Sequence, residues 1–104
     1  MAEDVGELVG RLRKVLDEYT AGWANPEALK EIGDVVWLLR QHATGKGYAL
    51  EKLGQFEEHS RMMYSAGRHR RYPGGIEGLK VALLRCLSSF EDALARYARR
   101  PAES

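Results

Sequence analysis

The chain lacks the features that are typical of secreted and membrane proteins. Its 104 residues include a single cysteine, Cys86, so no disulfide can form within the chain, and a lone thiol fits a reducing compartment. No apolar run approaches the ~20 residues of a membrane span. The first four residues contain two acids where a signal peptide carries Lys or Arg. We therefore expect a cytoplasmic protein that is not bound to a membrane.

An excess of charge of either sign is also missing. The 16 Lys and Arg residues nearly balance the 15 Asp and Glu residues, which leaves a formal net charge of +1. The overall charge therefore gives no reason to expect a nucleic-acid partner. Basic residues do cluster locally, at Arg61, along 68–71 and along 96–100. Nucleic-acid binding through residues 68–71 is still the weakest of the functional hypotheses, because the net charge of the chain is nearly neutral.

The residues that are present predict one all-α domain. Hydrophobic residues make up 44% and charged residues 30% of the chain, which is typical of a globular protein. Apolar residues recur at helical spacing, and no strand, repeat or low-complexity tract is recognisable. With Gly67 as a C-terminal cap of the third helix and Pro101 ending the last, we predict a four-helix bundle whose helices span about 5–19, 26–42, 50–66 and 76–97.

The second helix differs from the others in its apolar pattern. Trp37 and Leu38 fall outside the apolar stripe of this helix. A helix that is apolar on most sides is buried on most sides. This pattern predicts that Glu31 and Asp34 lie on a largely buried helix. Burying a carboxylate there costs free energy unless the carboxylate is paired or coordinated.

Two acidic pairs are the most informative motif. Asp4 and Glu7 are three residues apart, as are Glu31 and Asp34, so each pair projects from one side of its helix. If the two helices pack together, four carboxylates come close, and a hard divalent cation such as Mg²⁺ would offset their repulsion. For the first pair the alternative is ordinary acids in the first turn of a helix. For the second pair the alternatives are partial exposure at the end of the bundle, or neutralisation by a partner such as Arg13 or Arg40.

The sequence around these acids resembles the MazG-type all-α nucleotide pyrophosphohydrolases. Their hallmark is E-x-x-E followed at a distance by E-x-x-D, and here residues 3–8 read Glu-Asp-Val-Gly-Glu-Leu and residues 31–38 read Glu-Ile-Gly-Asp-Val-Val-Trp-Leu. Residues 50–53 and 70–73 are similar to the family's L-E-E-V and R-R-Y-P motifs. The resemblance covers roughly residues 2–74 of a single MazG-like domain over 1–104. A helix at about 76–99 is added at the C-terminal end.

This resemblance implies a metal-dependent hydrolase. It implies that the acids bind Mg²⁺ or Mn²⁺. It also implies that a nucleoside triphosphate, with a deoxynucleotide favoured, is cut between its α and β phosphates to give a monophosphate and pyrophosphate. Family sites are usually built across subunits, which implies a homodimer or homotetramer in the cytoplasm of a bacterium or of a phage-infected cell. By position, the implied metal ligands are Asp4, Glu7, Glu31 and Asp34, with Glu31, Asp34 and Glu7 as catalytic groups and Glu3 as an assisting acid.

The chain departs from the family pattern at several points. Asp4 stands in place of the usual Glu, which shortens the side chain by one methylene but keeps an oxygen ligand. The family usually has a helix before the first acidic motif. The added C-terminal helix is our hypothesis for what takes its place in the bundle.

Basic and aromatic residues are candidates for binding the substrate. Arg61 and the basic turn that includes Arg71 would neutralise the β and γ phosphates, because a guanidinium binds phosphate well. Trp23, Trp37 or Tyr72 would stack on the base, with Trp23 favoured because it lies between the two acidic helices. The alternatives are core packing for each aromatic residue and a solvated helix cap for the basic turn.

The alternative function is not enzymatic. A catalytically degenerate relative, or an unrelated helical bundle, would act as an interaction or regulatory module. The apolar seam over 76–97 supports this hypothesis, since such a seam can pair with a partner helix.

Overall fold

The computed structural model describes residues 4–99, and this part of the chain is all-helical. The predictions made for Glu3 and Pro101 lie outside the described residues. None of the helices within residues 4–99 combines the length and the apolar character needed to cross a membrane. The described residues form four α-helices and one short 3-10 helix, α1 (Val5–Glu18), α2 (Pro26–His42), α3 (Gly47–Met63), the 3-10 helix Arg68–Arg71, and α4 (Gly75–Arg99).

The four helices pack in chain order around a common core. α1 packs against α2, α2 against α3, and α3 against α4, which is the most extensive of these contacts. Contacts between α4 and α1 close the arrangement. α2 and α4 are therefore diagonally opposite in this bundle, and the 3-10 helix lies against α3 and α4.

Ion pairs between helices show that neighbours run antiparallel. Along α1, Arg13 meets Glu91 at 2.9 Å, and Asp17, one turn later, is 3.7 Å from Lys80, which precedes Glu91 on α4. The loops of a few residues between α1 and α2, and between α2 and α3, require the same alternation of direction.

The predicted apolar stripes form the core. Ser60, Tyr64 and Cys86 are buried with them, and burial raises the pKa of the Cys86 thiol. Ile76, predicted to begin the seam of α4, is instead 36% exposed. The main buried side chains of α1, α3 and α4 are Leu8, Val9, Leu12, Val15, Leu16, Leu53, Phe56, Met63, Leu79, Leu83, Leu87 and Phe90.

The third helix is displaced from its predicted bounds of 50–66. α3 begins at Gly47 and ends at Met63, where the backbone carbonyl of Met63 accepts a hydrogen bond of 2.9 Å from the Gly22 N–H in the loop after α1. Tyr64 caps the helix, and its hydroxyl donates to the Val15 carbonyl at 3.2 Å. Gly67 is therefore not the cap of α3, and it precedes the 3-10 helix instead. The hydrogen bonds of Met63 and Tyr64 to the α1 region therefore fix the C-terminal end of α3.

The expectation that α2 is buried on most sides is wrong. The buried residues of α2 occupy a single face, Ala28, Ile32, Val35, Val36 and Leu39. Leu38 is half-buried, and Trp37 is 61% exposed. Among the elements within residues 4–99, only α1 and α3 pack against α2, which leaves the outer side of α2 uncovered by the described part of the chain.

A tight glycine turn leads into α4. Gly74 and Gly75 have φ values of 87° and 61°, in the left-handed region that favours glycine. A Cβ at Gly78 would overlap the carbonyl oxygen of Pro73, so this first turn of α4 requires glycine. The turn also positions Tyr72 edge-on against His59 of α3, with a ring-centroid distance of 5.3 Å.

Candidate functional site

The first acidic pair starts α1 by a reciprocal capping box. The Asp4 side chain accepts a hydrogen bond of 2.8 Å from the Glu7 N–H, and the Glu7 carboxylate accepts one of 3.2 Å from the Asp4 N–H. Each carboxylate thereby satisfies a backbone donor that the helix itself leaves unpaired. Both side chains remain exposed. In this structure the pair therefore caps the first turn of α1.

The second pair makes ion pairs with cations that the sequence analysis did not select. Glu31 accepts from Arg11 of α1, with an Nη2–Oε2 distance of 2.9 Å and an Nε–Oε2 distance of 3.2 Å. Asp34 accepts from Lys30, one turn earlier in α2, at 3.0 Å. The hydrogen bond from Lys30 to Asp34 raises the pKa of the Lys30 ammonium.

The suggested partners of these acids, Arg13 and Arg40, lie elsewhere. Arg13 pairs with Glu91 of α4, and Arg40 pairs with Glu57 of α3 at 2.7 Å. The exposed fractions of the two acidic side chains are 35% for Glu31 and 58% for Asp34. The prediction of two acids on a largely buried helix is therefore wrong, because this side of α2 borders solvent and the edge of α1.

The Arg11–Glu31 pair shows which residues of α1 and α2 lie side by side. Glu7 lies one turn before Arg11 on α1, and Asp34 lies about one turn after Glu31 on α2. Since the two helices run antiparallel, both steps lead toward the same end of the helix pair. Glu7, Arg11, Glu31 and Asp34 consequently follow one strip along the α1–α2 boundary.

The donor set suits a hard divalent cation, because all four predicted ligands are carboxylates. Among residues 4–99, however, no three or more His, Cys, Asp or Glu side chains are grouped closely enough to hold a metal ion. The structure brings Asp4 to Glu7 and Glu31 to Arg11, and it does not gather the four acids into one cluster within the described chain.

A groove opens beside Glu31 on the α1–α2 boundary. Its volume is about 220 Å³. Arg11 and Lys14 bring positive charge to this groove, and neither was identified from the sequence. Their helical spacing, one turn apart on α1 and one and two turns after Glu7, is the signal that could have found them. The groove is lined by Arg11, Lys14, Val15, Glu18, Tyr19 and Glu31.

The predicted substrate-binding aromatic residues differ in exposure. Trp23 is 69% exposed in the loop between α1 and α2, so the core-packing alternative is wrong for Trp23 and, at 61% exposed, for Trp37. Tyr72 is half-buried against His59, with an angle of 77° between the two ring planes. Trp23 is thus the predicted residue whose ring is most open to a ligand.

The predicted phosphate-binding arginines are exposed near the end of α3. Arg61 lies 3.7 Å from Glu57, and Arg71 ends the 3-10 helix. The loop that carries Trp23 is tied to this end of the bundle, since Gly22 bonds the last residue of α3 and lies next to His69 of the 3-10 helix. The structure therefore brings the Trp23 loop and the basic 3-10 helix together.

Comparisons of the chain with protein-family models, with curated proteins and with solved structures gave no match in any of the three.

Proposed function

We propose that this chain is a MazG-like nucleotide pyrophosphohydrolase of the cytoplasm. It would cut a nucleoside triphosphate, most readily a deoxynucleotide, between the α and β phosphates with Mg²⁺ or Mn²⁺. The observation that supports this proposal is the position of Glu31. Its half-buried carboxylate borders a groove that also contains Arg11 and Lys14 and extends to Tyr19 at the end of α1.

The proposed roles follow from the chemistry of each side chain. The carboxylates of Asp4, Glu7, Glu31 and Asp34, which are not grouped in this structure, would have to leave their present partners and close on the ion, which when bound supplies positive charge beside the phosphate oxygens. A carboxylate that is not a ligand would orient the attacking water and accept its proton. Glu7 is the candidate for that role, because it lies one turn from Arg11 on the same helix boundary, and Glu31 and Asp34 would act through the ion that they hold.

The cations near the groove would bind the polyphosphate. The Arg11 guanidinium already makes two hydrogen bonds to one carboxylate oxygen, and the same planar fork suits a phosphate oxygen. Arg61 and Arg71 would neutralise the terminal phosphates from the end of α3. Trp23, with 69% of its side chain exposed, would stack on the base.

Pyrophosphate release tests this proposal directly. The protein is incubated with each ribo- and deoxynucleoside triphosphate and Mg²⁺ or Mn²⁺. Glu31→Gln and Asp34→Asn should each lower the rate by on the order of 100-fold. Glu58→Gln is the matched control, because Glu58 is an exposed acid on α3, away from the α1–α2 boundary. Wild-type rates in Glu31→Gln, or no pyrophosphate from any nucleotide, would contradict the proposal.

Binding of Mn²⁺ provides a readout that does not depend on turnover. Titration followed by electron paramagnetic resonance of free Mn²⁺ should show saturable binding that Glu31→Gln weakens and Glu58→Gln leaves unchanged. Equal Mn²⁺ affinity in the two variants would exclude Glu31 as a ligand.

A second candidate function is a helical interaction or regulatory module without catalysis. It is favoured by the partners that the acids already have, the reciprocal Asp4–Glu7 cap and the Lys30–Asp34 pair. Such contacts are sufficient to explain these acids as structural residues. A folded protein that neither releases pyrophosphate nor binds Mn²⁺ would support this candidate over the hydrolase.

A further inference from the structure

A cleft between the start of α3 and the end of α4 combines aromatic rings with one acid and one base. Its residues on α4 recur at spacings of three and four, so they share one side of that helix, and Tyr48 approaches them from the first turn of α3. The cleft consists of two adjoining cavities of about 180 and 60 Å³. They are lined by Tyr48, Ser89, Asp92, Ala93, Arg96 and Tyr97.

This cleft is far from the Trp23 loop of the proposed hydrolase site. It lies at the first turn of α3, whereas the last residue of that helix, Met63, bonds the loop that carries Trp23. The 17 residues of α3 separate the two ends by about 25 Å. A ligand in the cleft would therefore not reach Trp23, and the inference does not depend on the proposed hydrolase activity.

The two charges of the cleft have no partner within the described chain. Asp92 and Arg96 are one turn apart on α4 and both are exposed, yet among residues 4–99 neither forms an ion pair or a side-chain hydrogen bond. A carboxylate only accepts hydrogen bonds, and a guanidinium only donates them. The cleft therefore presents acceptors and donors side by side to a ligand that carries both kinds of group.

Tyr48 provides a flat surface beside these charges. The Lys52 ammonium lies 5.2 Å from the centre of the Tyr48 ring, a cation–π contact that helps to hold the ring in place. The Tyr48 side chain is nevertheless 50% exposed, and the half-buried Tyr97 lines the larger cavity with it. Because aromatic side chains stack against planar rings, the cleft suits a planar ligand with polar edges.

We propose that this cleft binds a guanine base. Guanine carries the acceptors O6 and N7 on one edge, and these pair with a guanidinium in bidentate fashion. Its neighbouring edge carries the N1–H and N2–H donors, which suit the two oxygens of a carboxylate. Arg96 donates to O6 and N7, Asp92 accepts from N1–H and N2–H, and the base stacks on Tyr48.

Other bases match these two side chains less well. Adenine has an N6 amino donor at the position of O6, and this donor would face the Arg96 guanidinium. Hypoxanthine, the base of inosine, keeps O6, N7 and N1–H but lacks the N2 amino group, so Asp92 would lose one of its two donors. We therefore expect the affinity to fall from guanosine to inosine to adenosine.

Calorimetric titration of the full chain with nucleosides, in the absence of divalent ions, tests the proposal. Guanosine should bind saturably, inosine on the order of tenfold more weakly, and adenosine more weakly still. Guanosine 5′-monophosphate should bind at least as tightly as guanosine, because recognition is through the base. Trp23→Phe should leave the guanosine affinity unchanged, which separates this cleft from the proposed hydrolase site.

Two variants assign the contacts. Asp92→Ala should weaken guanosine binding and abolish the preference for guanosine over inosine, since the N2 amino group no longer has an acceptor. Arg96→Gln should weaken binding by on the order of tenfold but keep that preference. Glu77→Ala and Arg85→Gln are the matched controls, because each removes one charge from an exposed position of α4 outside the cleft.

The proposal is overturned if guanosine shows no saturable binding, if guanosine, inosine and adenosine bind equally, or if Asp92→Ala keeps the wild-type preference for guanosine. Binding of the monophosphate without binding of guanosine would also overturn it, since the phosphate would then be the recognised group. The comparison of nucleosides uses the unaltered protein, so it decides the question even where a variant does not fold.

Discussion

Arg11 of α1 and Glu31 of α2 form the ion pair that joins the two acidic helices, with 2.9 Å between Nη2 and Oε2. Both side chains are about one-third exposed, at 36% and 35%. Ion pairs with this much solvent contact contribute ~0–1 kcal/mol to stability. The guanidinium therefore holds Glu31 weakly enough for a divalent cation to compete for the same carboxylate.

Removing Arg11 should strengthen metal binding. We expect Arg11→Gln to tighten Mn²⁺ binding several-fold, because Glu31 loses its competing cation, while stability falls by no more than ~1 kcal/mol. Arg13→Gln is the matched control, since Arg13 makes a pair of the same length with Glu91 on α4. Weaker Mn²⁺ binding in Arg11→Gln, or the same change in both variants, would contradict competition at Glu31.

Tyr64 should make stability sensitive to alkaline pH. Its side chain is 1% exposed, and burial, with a smaller contribution from Asp17, raises the pKa of its hydroxyl to about 12 from 10.0. The unfolded chain loses this proton first, so the stabilising contribution is complete below pH 10 and is lost as the pH rises toward 12. The loss amounts to about 2–3 kcal/mol over that range.

Urea unfolding of wild type and Tyr64→Phe at several pH values between 8 and 12 measures this effect. Below pH 10 the variant should be less stable by ~1 kcal/mol, because the hydrogen bond to the Val15 carbonyl is lost. Above pH 10 the difference should shrink and then reverse. A constant difference across the range would show that Tyr64 is not the responsible group.

The sequence predicts most of the helices because their signals are local. Asn25 caps α2, and Pro26 occupies its first position. The residue pattern therefore predicts that α2 starts at Pro26, where the structure has it. The end of α3 is different, since it depends on the Gly22 and Val15 contacts of Met63 and Tyr64. Such contacts join residues more than 40 positions apart and leave no local signal.

The acidic site is less predictable than the fold for a related reason. Spacing alone places Glu31 and Asp34 on one side of α2, but it does not identify which cation of another helix lies opposite. Arg11 and Arg13 are two residues apart on α1, and a rotation of that helix decides which of them meets Glu31. The core packing of α1 against both α2 and α4 sets this rotation, and it turns Arg13 toward Glu91.

Gly78 should be far more sensitive to substitution than other helical glycines. Gly78→Ala would drive a Cβ into the Pro73 carbonyl oxygen, and we expect a loss of more than ~2 kcal/mol of stability. Gly10→Ala is the control, because Gly10 is an exposed residue of α1 and no atom lies within 4 Å of the added Cβ. It should stabilise the protein by ~0.5–1 kcal/mol. Thermal unfolding distinguishes the two, and equal effects would contradict the requirement for glycine at residue 78.

The two tryptophans allow the base-stacking role of Trp23 to be separated from nonspecific quenching. The chain has two tryptophans, so Trp37→Phe leaves Trp23 alone and Trp23→Phe leaves Trp37 alone. Their side chains are similarly exposed, at 69% for Trp23 and 61% for Trp37. If Trp23 stacks on the base, a non-hydrolysable α,β-methylene nucleoside triphosphate should quench its fluorescence saturably, because a stacked base contacts the indole face directly. Trp37 alone should show only weak, linear quenching. Equal quenching in the two variants, or saturable quenching of Trp37 alone, would show that the base does not stack on Trp23.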